Sequence, residues 1–188
     1  MSKSLSRITL VRHGRPTVSL MEWVCGRSLI AFIDRYNAAG IAKDSIPVLA
    51  TQKASATAAS VLTSEYISTQ ESAIRLNLSI QSSESKYREV NCWIDFPVPF
   101  PLPAWVWVIL TRILWPMNRL AAPESFREAQ LRAKNCDQSL AQVAQGRHVV
   151  LVGHGGMNTL IARELVAMKW EGAKQPRLNH WGATSYLK

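Results

Sequence analysis

Cysteine is scarce in this sequence, and the arrangement of the few cysteines argues against two common kinds of stabilising site. The 188 residues include three cysteines, Cys25, Cys92 and Cys136, and no Cys-x-x-Cys spacing occurs among them. An odd number of widely separated cysteines argues against a disulfide framework and against a structural zinc site. We therefore expect a protein of the reducing cytoplasm. The residues before the first predicted strand hold no apolar stretch of the kind that a secretory signal needs.

Charged side chains are also few, and no run of five or more basic residues occurs. Charged residues make up 19% and apolar residues 47%, a composition typical of folded proteins, and the length suits a single domain over 1–188. The formal net charge is +9. A scattered basic excess favours phosphorylated metabolites, nucleic acid or an anionic membrane surface as partners, or belongs to a solvated surface. Nucleic acid is disfavoured because aromatic and basic residues are not interleaved.

An apolar run long enough to span a membrane is missing as well. The uncharged segment 96–111 has 16 residues, and prolines at 97, 99, 101 and 103 interrupt it. A membrane-spanning helix needs about 20 apolar residues. We therefore predict no transmembrane segment. The wider segment 96–117, which also contains three tryptophans, is predicted to pack on the core, to cover a substrate pocket as a lid, or to form the surface of a homodimer.

What the sequence does contain is an alternation of strand and helix patterns. Buried strands are predicted at 8–11, 61–63, 148–152 and 183–187, and a further short strand at 78–80. Helices are predicted at 29–39, 51–58, 64–76, 104–114, 124–143 and 156–168, with Ser28 and Ser64 as N-caps. This order predicts the α/β class, as a three-layer α/β/α arrangement around a mostly parallel sheet.

Two of the predicted strands lead into a histidine that is followed by glycine. Arg12-His13-Gly14 follows the first strand, and Gly153-His154-Gly155 follows the strand at 148–152. In parallel sheets the ligand crevice lies beyond the carboxyl ends of the strands, so His13 and His154 should share one site. The arginine suggests an anionic ligand. Gly155 opens a predicted helix whose amino-terminal amides would add to anion binding.

These motifs resemble those of the histidine phosphatase superfamily, also called phosphoglycerate mutase-like. The resemblance lies in Leu10-Val11-Arg12-His13-Gly14, in Gly153-His154-Gly155 and in Tyr87-Arg88-Glu89, which is similar to the region that carries the catalytic acid. It extends from residue 8 to 187. It implies a phosphoglycerate mutase-like fold and a metal-independent phosphomonoesterase that needs no cofactor. The substrate would be a small phosphate ester, and a phosphohistidine would be the intermediate.

The resemblance also implies a role for each site residue. His13 would attack phosphorus with one ring nitrogen while the other donates its proton to a backbone carbonyl near Gly14. Arg12 would bind phosphate oxygens, and His154, best when protonated, would hydrogen-bond the transferring group. Glu89 would protonate the leaving alkoxide and then activate water, which requires a pKa raised by the bound phosphate. His148 and His180 lack such context, and we interpret both as structural.

Two positions depart from the superfamily pattern. Ser68 stands where a second phosphate-binding arginine is expected, and Ser19 where many relatives carry a phosphate-contacting asparagine. Losing a charge-assisted hydrogen bond costs about 1.5–3 kcal/mol. Arg15, Arg27 and Lys53 are candidates to replace the charge, whereas Arg75 lies about 10 Å farther along the helix.

Three functions remain open on these residues. They are a phosphomonoesterase, a phosphate-binding regulatory protein with little turnover, and, less favoured, a phosphoglycerate mutase. The apolar segment 96–117 favours a substrate with an apolar portion, and we expect Trp105 and Trp107 to contact it.

Overall fold

A central sheet places the ends of its strands where the two histidine motifs begin. The structure is a computed structural model that describes residues 5–117, 119 and 121–188. Its strands are β1 (Arg7–Arg12), β2 (Trp23–Cys25), β3 (Ser60–Thr63), β4 (Ser82–Ser83), β5 (Pro101–Pro103), β6 (His148–Gly153) and β7 (Ala183–Leu187). Within the described residues, five strands form the central sheet in the order β4-β3-β6-β1-β7. All neighbours pair in parallel except β7, which runs antiparallel to β1.

Helices cover both faces of this sheet because its buried strands alternate side chains between two cores. The helices are α1 (Leu29–Ala38), α2 (Leu49–Ser55), α3 (Ile67–Arg75), α4 (Ala104–Leu114), α5 (Phe126–Val143) and α6 (Gly155–Ala167). Val149 and Leu151 of β6 belong to a core that includes residues of α1, α4, α5 and α6. Val150 and Val152 point into the opposite core, which includes residues of α3. The predicted α/β class with its mostly parallel sheet is thus confirmed.

Most element positions follow the sequence pattern, and the differences have local causes. The strand predicted at 78–80 lies instead at Ser82–Ser83, where it pairs with Leu62 and Thr63. Neither Ser28 nor Ser64 caps a helix with its side chain. Ser64 instead uses its hydroxyl inside the site described below. The side-chain cap that does form is Ser125, which makes a reciprocal capping box with Glu128 at the start of α5.

The segment predicted as an apolar insert forms β5 and α4. β5 pairs antiparallel with β2 in a separate two-stranded sheet. Trp107 of α4 is buried, stacks on Phe96 and donates a 2.7 Å hydrogen bond from Nε1 to the carbonyl of Val24. Part of the insert therefore packs as core, one of the three predicted alternatives. Within the described residues, no helix has both the length and the apolar character needed to cross a bilayer.

Candidate active site

The two histidines of the sequence motifs meet at one edge of the sheet. β1 and β6 pair in parallel with Arg12 opposite Gly153, so the next residues of both strands, His13 and His154, emerge side by side. Their ring centroids are 5.1 Å apart, and both residues are almost fully buried. The meeting of these rings follows from the parallel register alone.

The hydrogen bonding of His13 leaves one of its ring nitrogens free. Nδ1 lies 2.8 Å from the carbonyl oxygen of Gly14, so Nδ1 carries the proton and donates it there. The lone pair of Nε2 is then available to a ligand. Burial, followed by the nearby His154 and Arg12, lowers the pKa of His13 well below 6.5. The ring is therefore neutral at pH 7, which is the form that a nucleophile needs.

His154 is held by a hydroxyl network on the neighbouring strand end. Its Nε2 lies 2.7 Å from Oγ of Ser64, and this Oγ also contacts Oγ1 of Thr69. The ring of Tyr66 stands edge-on to the imidazole. Burial lowers the pKa of His154 to about 4, although the negative charge of Glu89 opposes the shift. In the free protein His154 is thus neutral at pH 7. The protonated form, which the family resemblance implies would act best, would need a bound anion.

Glu89 lies at the amino terminus of α6. Its carboxylate accepts hydrogen bonds from the amides of Gly156 and Met157, both at 3.0 Å, and from the amide of Val90. A guanidinium nitrogen of Arg112 lies 3.3 Å from the same carboxylate. Burial raises the pKa of Glu89, but Arg112, His154 and the amides outweigh it and bring the pKa to about 2. The raised pKa that an acid needs is therefore not present in the free protein.

An ion pair fixes the loop that carries Glu89. Arg132 of α5 pairs with Glu124, with Nε 2.8 Å from Oε1. Its guanidinium also donates to the carbonyls of Lys86, Arg88 and Glu89. Glu124 in turn accepts a hydrogen bond from the amide of Asn91. Arg132 thus holds the chain up to Glu89, and Glu124 holds it just after Glu89, so the ion pair positions the carboxylate.

A cavity of about 460 Å³ opens onto these groups, and its two ends differ in character. The polar end contains Arg12, His13, Glu89, Arg112 and His154. The rest of the lining is largely apolar and includes Leu20, Ile33, Trp93, Val108, Trp115, Phe126, Leu160 and Leu178. Cavities of this size hold small organic ligands. The cavity can therefore receive an anionic group at one end and an apolar group at the other.

Gly156 lets the charged groups of the polar end approach the helix terminus. A Cβ atom at this position would collide with the guanidinium of Arg112 and with the carboxylate of Glu89. Gly155, which the sequence assigns to phosphate binding, also lines the cavity, and Arg12 lies against it. Within the described residues, Nε of Arg12 is buried without a hydrogen-bond partner, so this guanidinium keeps a donor for a ligand.

The remaining residues that the sequence assigned to phosphate binding lie outside the lining of this cavity. Arg15 is exposed and pairs with Asp44 at 2.6 Å. Ser19 is exposed and accepts a hydrogen bond from the amide of Met21. Ser68 is buried in the first turn of α3. The other two proposed replacements for the missing charge, Arg27 and Lys53, are exposed. Arg75, which the sequence excluded by distance, donates to the carbonyls of Ala42, Lys43 and Ser45.

Arg112 is the cation that the sequence interpretation missed. It belongs to α4, lines the cavity, pairs with Glu89 and lies over the ring of Trp93, with Cζ 5.1 Å from the ring centroid. Arg163 of α6 also lines the cavity. The sequence does carry a signal for Arg112, because it is the one charged residue between Asp95 and Arg119. A lone charge in an apolar helix needs a partner, and here the partner is Glu89.

A third histidine lies behind the first. The ring of His180 is 5.4 Å from that of His13, and its Nδ1 is 3.2 Å from the carbonyl oxygen of His13. Burial and the charge of Arg12 lower the pKa of His180 to about 4. His180 thus supports the backbone that carries His13. His148, the other histidine interpreted as structural, bonds to Thr9 and Thr57 at the opposite end of β6.

Among the described residues, 5–117, 119 and 121–188, no group of three or more histidine, cysteine, aspartate and glutamate side chains is arranged to hold a metal ion. All three cysteines carry free thiols.

Comparison with known protein families finds one match, in the second half of the chain. Residues 108–187 match the model of the family described as "Histidine phosphatase superfamily (branch 1)". The match covers 80 of the 188 residues, so this part of the chain is similar to that superfamily. The matched segment contains Arg112, His154 and α6, whereas His13 lies before it and takes its place in the site through the pairing of β1 with β6. No curated protein matches the sequence.

Solved structures share the fold along nearly the whole of this chain. A phosphoserine phosphatase mutant from Entamoeba histolytica, in complex with phosphoserine, is 10% identical with a TM-score of 0.63 and covers 95% of this chain and 89% of its own. A phosphoglycerate mutase from Bacillus anthracis is 16% identical with a TM-score of 0.62, covering 99% and 89%. A mycobacterial glucosyl-3-phosphoglycerate phosphatase is 16% identical with a TM-score of 0.56, covering 87% and 80%.

At these identities the likeness to solved structures concerns the fold, and it confirms the predicted phosphoglycerate mutase-like architecture. The family match over residues 108–187 supports the predicted class, a phosphoric monoester hydrolase of the histidine phosphatase type.

Proposed function

We propose that this histidine phosphatase hydrolyses phosphate monoesters through a phosphohistidine at His13. The observation that carries the proposal is the free Nε2 lone pair of a neutral His13 in the charged end of the cavity. The guanidinium groups of Arg12 and Arg112 lie in the same end, where they would neutralise the phosphate oxygens. Phosphoryl transfer needs mainly such positioning and positive charge.

The reaction would proceed in two displacements. Nε2 of His13 forms a bond to phosphorus while the bond from phosphorus to the ester oxygen breaks, and Glu89 gives a proton to the departing alkoxide. In the second step water attacks phosphorus, the bond to Nε2 breaks, and Glu89 takes the proton of that water. Arg12, Arg112 and His154 would hold the phosphoryl oxygens throughout. The products are an alcohol and inorganic phosphate.

The low pKa of Glu89 determines where its proton comes from. In the free protein Glu89 is therefore ionised at neutral pH. A phosphate monoester with a second pKa of about 6 binds with one proton below that pH and without it above. The bound phosphate raises the pKa of Glu89, which then receives this proton and passes it to the alkoxide.

We expect kcat/KM for an alkyl phosphate to decrease above about pH 6, because the proton that Glu89 must deliver is then absent from both partners. His13 stays neutral well below pH 6.5, so activity persists on the acid side. Glu89→Gln should lower kcat by about 100-fold or more. Steady-state rates from pH 4.5 to 8 test this, with Glu84→Gln, a half-buried glutamate outside the cavity lining, as control. A flat alkaline limb, or full activity in Glu89→Gln, would contradict the acid role.

We further propose that the substrate carries an apolar portion, as the sequence suggested, but that other residues contact it. Trp107 is buried against Phe96 and Trp105 points to solvent, and neither lines the cavity. Val108 and Trp115 of the same insert do line it. The expected contact through Trp105 and Trp107 is therefore replaced by one through the neighbouring face of α4.

A series of n-alkyl phosphates tests this substrate class. Each methylene that enters the apolar end should raise kcat/KM about fourfold until that end is full. Val108→Asn should reduce this gain with chain length and leave ethyl phosphate nearly unaffected. Trp105→Ala on the exposed side of the same helix is the matched control and should behave as wild type. Equal kcat/KM across the series in wild type would reject the apolar portion.

A second candidate function is phosphate binding with little turnover, and Ser68 is the observation that favours it. The missing arginine leaves the site with less charge than the superfamily pattern provides, and Glu89 holds two of the amides that could bind an anion. Calorimetric binding of inorganic phosphate without hydrolysis of any monoester would support this function. A mutase is less favoured because most of the cavity lining is apolar. The cytoplasmic location and the single-domain organisation stay predictions.

A further inference from the structure

We propose that the exposed side of the insert lies on an anionic lipid bilayer, and that the substrate is the phosphate monoester of a long-chain alcohol in that bilayer. The substrate part of this inference rests on the proposed phosphomonoesterase function, whereas the binding surface does not. The apolar face is defined by six exposed residues, Met21, Trp23, Trp105, Ile109, Ile113 and Met117.

The apolar face is continuous along the helix and the strand beside it. Trp105, Ile109 and Ile113 follow one another at intervals of four in α4, so they form one row on the helix surface. Met117 continues the same interval in the turn after α4. β2 extends the row sideways, because Trp23 is opposite Pro103 and the amide of Trp105 donates to the carbonyl of Leu20.

These large apolar side chains are mostly exposed to solvent. Trp23 is 69% exposed and Ile113 is 58% exposed, and the one charged residue within α4 is Arg112, whose guanidinium lines the cavity from the neighbouring side of the helix. A group of large exposed apolar residues on one face marks an interaction surface. Tryptophan in particular favours the boundary between water and lipid.

Net charge distinguishes a bilayer from a second copy of the chain as the partner. The chain carries a formal charge of +9, so two copies repel each other at long range. An anionic bilayer attracts the same charge. Arg27 comes two residues after β2, Arg119 comes two residues after Met117, and both are exposed, so the sequence puts basic residues next to both ends of the apolar face. The apolar face with basic residues at its edges therefore suits an anionic lipid surface.

The position of α4 joins this surface to the cavity. One side of the helix carries the apolar face, and the neighbouring side contributes Val108 and Arg112 to the cavity lining. An α-helix with its side chains is about 10 Å across. A single-chain phosphate whose head reaches His13 can thus leave its tail in the apolar end of the cavity and in the lipid beside α4.

Vesicle binding tests the surface without reference to catalysis. We expect wild type to sediment with phosphatidylcholine–phosphatidylglycerol vesicles and much less with phosphatidylcholine alone. The double variant Ile109→Asp/Ile113→Asp should bind at least about tenfold more weakly. The control is Ile74→Asp, an equally exposed isoleucine on α3, which should bind as wild type. Quenching of wild-type tryptophan fluorescence by brominated lipid gives the same answer without any substitution.

Activity measurements then separate the two parts of the inference. With hexadecyl phosphate in those vesicles, Ile109→Asp/Ile113→Asp should lose about tenfold in rate while hydrolysis of soluble ethyl phosphate is unchanged. The proposed lipid-binding surface would be contradicted if wild type did not bind the vesicles, or if Ile74→Asp lost as much binding as the double variant. A dimer in sedimentation equilibrium that the double variant dissociates would assign the face to a second copy instead. Vesicle binding without hydrolysis of any monoester would support the lipid-binding surface and contradict the proposed phosphomonoesterase function.

Discussion

Replacing His13 with alanine is expected to lower kcat for every phosphate monoester by at least about a thousandfold, because the variant lacks the atom that bonds to phosphorus. The neutral ring presents Nε2 to the cavity and anchors Nδ1 on the carbonyl of Gly14. Since neither Arg12 nor His154 can form the covalent intermediate in its place in this geometry, binding of phosphate should survive while turnover does not. Steady-state rates and calorimetric phosphate binding measure the two effects separately.

The matched control is His148→Gln, at the other end of the same strand. His148 begins β6 and bonds to Thr9 and Thr57, whereas His154 follows the opposite end of β6 beside His13. This control removes a second buried imidazole roughly 20 Å from the site, given about 3.3 Å per strand residue. It should keep its kcat once folding has been verified by circular dichroism. Equal turnover by wild type and His13→Ala would reject His13 as the nucleophile.

The second large effect is expected at Arg112. Replacing it with methionine should lower kcat/KM by about 10- to 150-fold, the cost of one charge-assisted contact of about 1.5–3 kcal/mol. Most of this loss should appear as a raised KM, because in the proposed mechanism Arg112 would bind phosphate oxygens both before and after transfer. The substitution also removes the cation that keeps the pKa of Glu89 low, so the alkaline limb of the pH profile should move to higher pH.

Two further variants decide whether Arg112 supplies the charge that Ser68 lacks. Arg15→Gln should leave kcat/KM nearly unchanged, since Arg15 is exposed and paired with Asp44 outside the cavity. Ser68→Arg should restore part of the activity of Arg112→Met but add little to wild type. A gain of tenfold or more from Ser68→Arg in wild type would mean that the missing arginine still limits the enzyme and that Arg112 does not replace it.

The sequence was sufficient for the features that depend on local pattern and on parallel pairing. His13 and His154 each follow a buried apolar run, and parallel register then puts them side by side. The helix at 104–114 and the strand at 183–187 also lie where the pattern predicts them. These features need only short-range periodicity and the rule that ligands bind beyond the carboxyl ends of strands.

The features that the sequence missed depend on how distant segments pack. α4 presents three different sides, with Trp107 in the core, Arg112 in the cavity and Ile109 in solvent. An almost wholly apolar helix gives no periodicity that tells these sides apart, so the sequence could not choose between core, lid and surface. Arg112 and Glu89 are also 23 positions apart, and only the path of the insert brings them together.

The electrostatic state of the site was equally inaccessible to the sequence. The sequence predicted Glu89 by resemblance and required a raised pKa for its acid role. In the free protein the pKa is about 2, because Arg112, His154 and the amides of α6 outweigh burial, and the rise on phosphate binding stays a prediction. Ser64 shows the same limit, since a serine before a helix is a reasonable N-cap by pattern, yet its hydroxyl bonds to His154. Both outcomes are set by contacts between separate elements.

The most direct test of the central claim is to trap the phosphorylated enzyme. Wild type mixed with an alkyl phosphate and quenched in alkali within milliseconds should carry one phosphoryl group, because phosphohistidine survives alkali and is lost in acid. Peptide mass spectrometry should place that group on His13, and His13→Ala should carry none. A phosphoryl group on any other residue, or rapid hydrolysis with no labelled intermediate in wild type or in Glu89→Gln, would contradict the account.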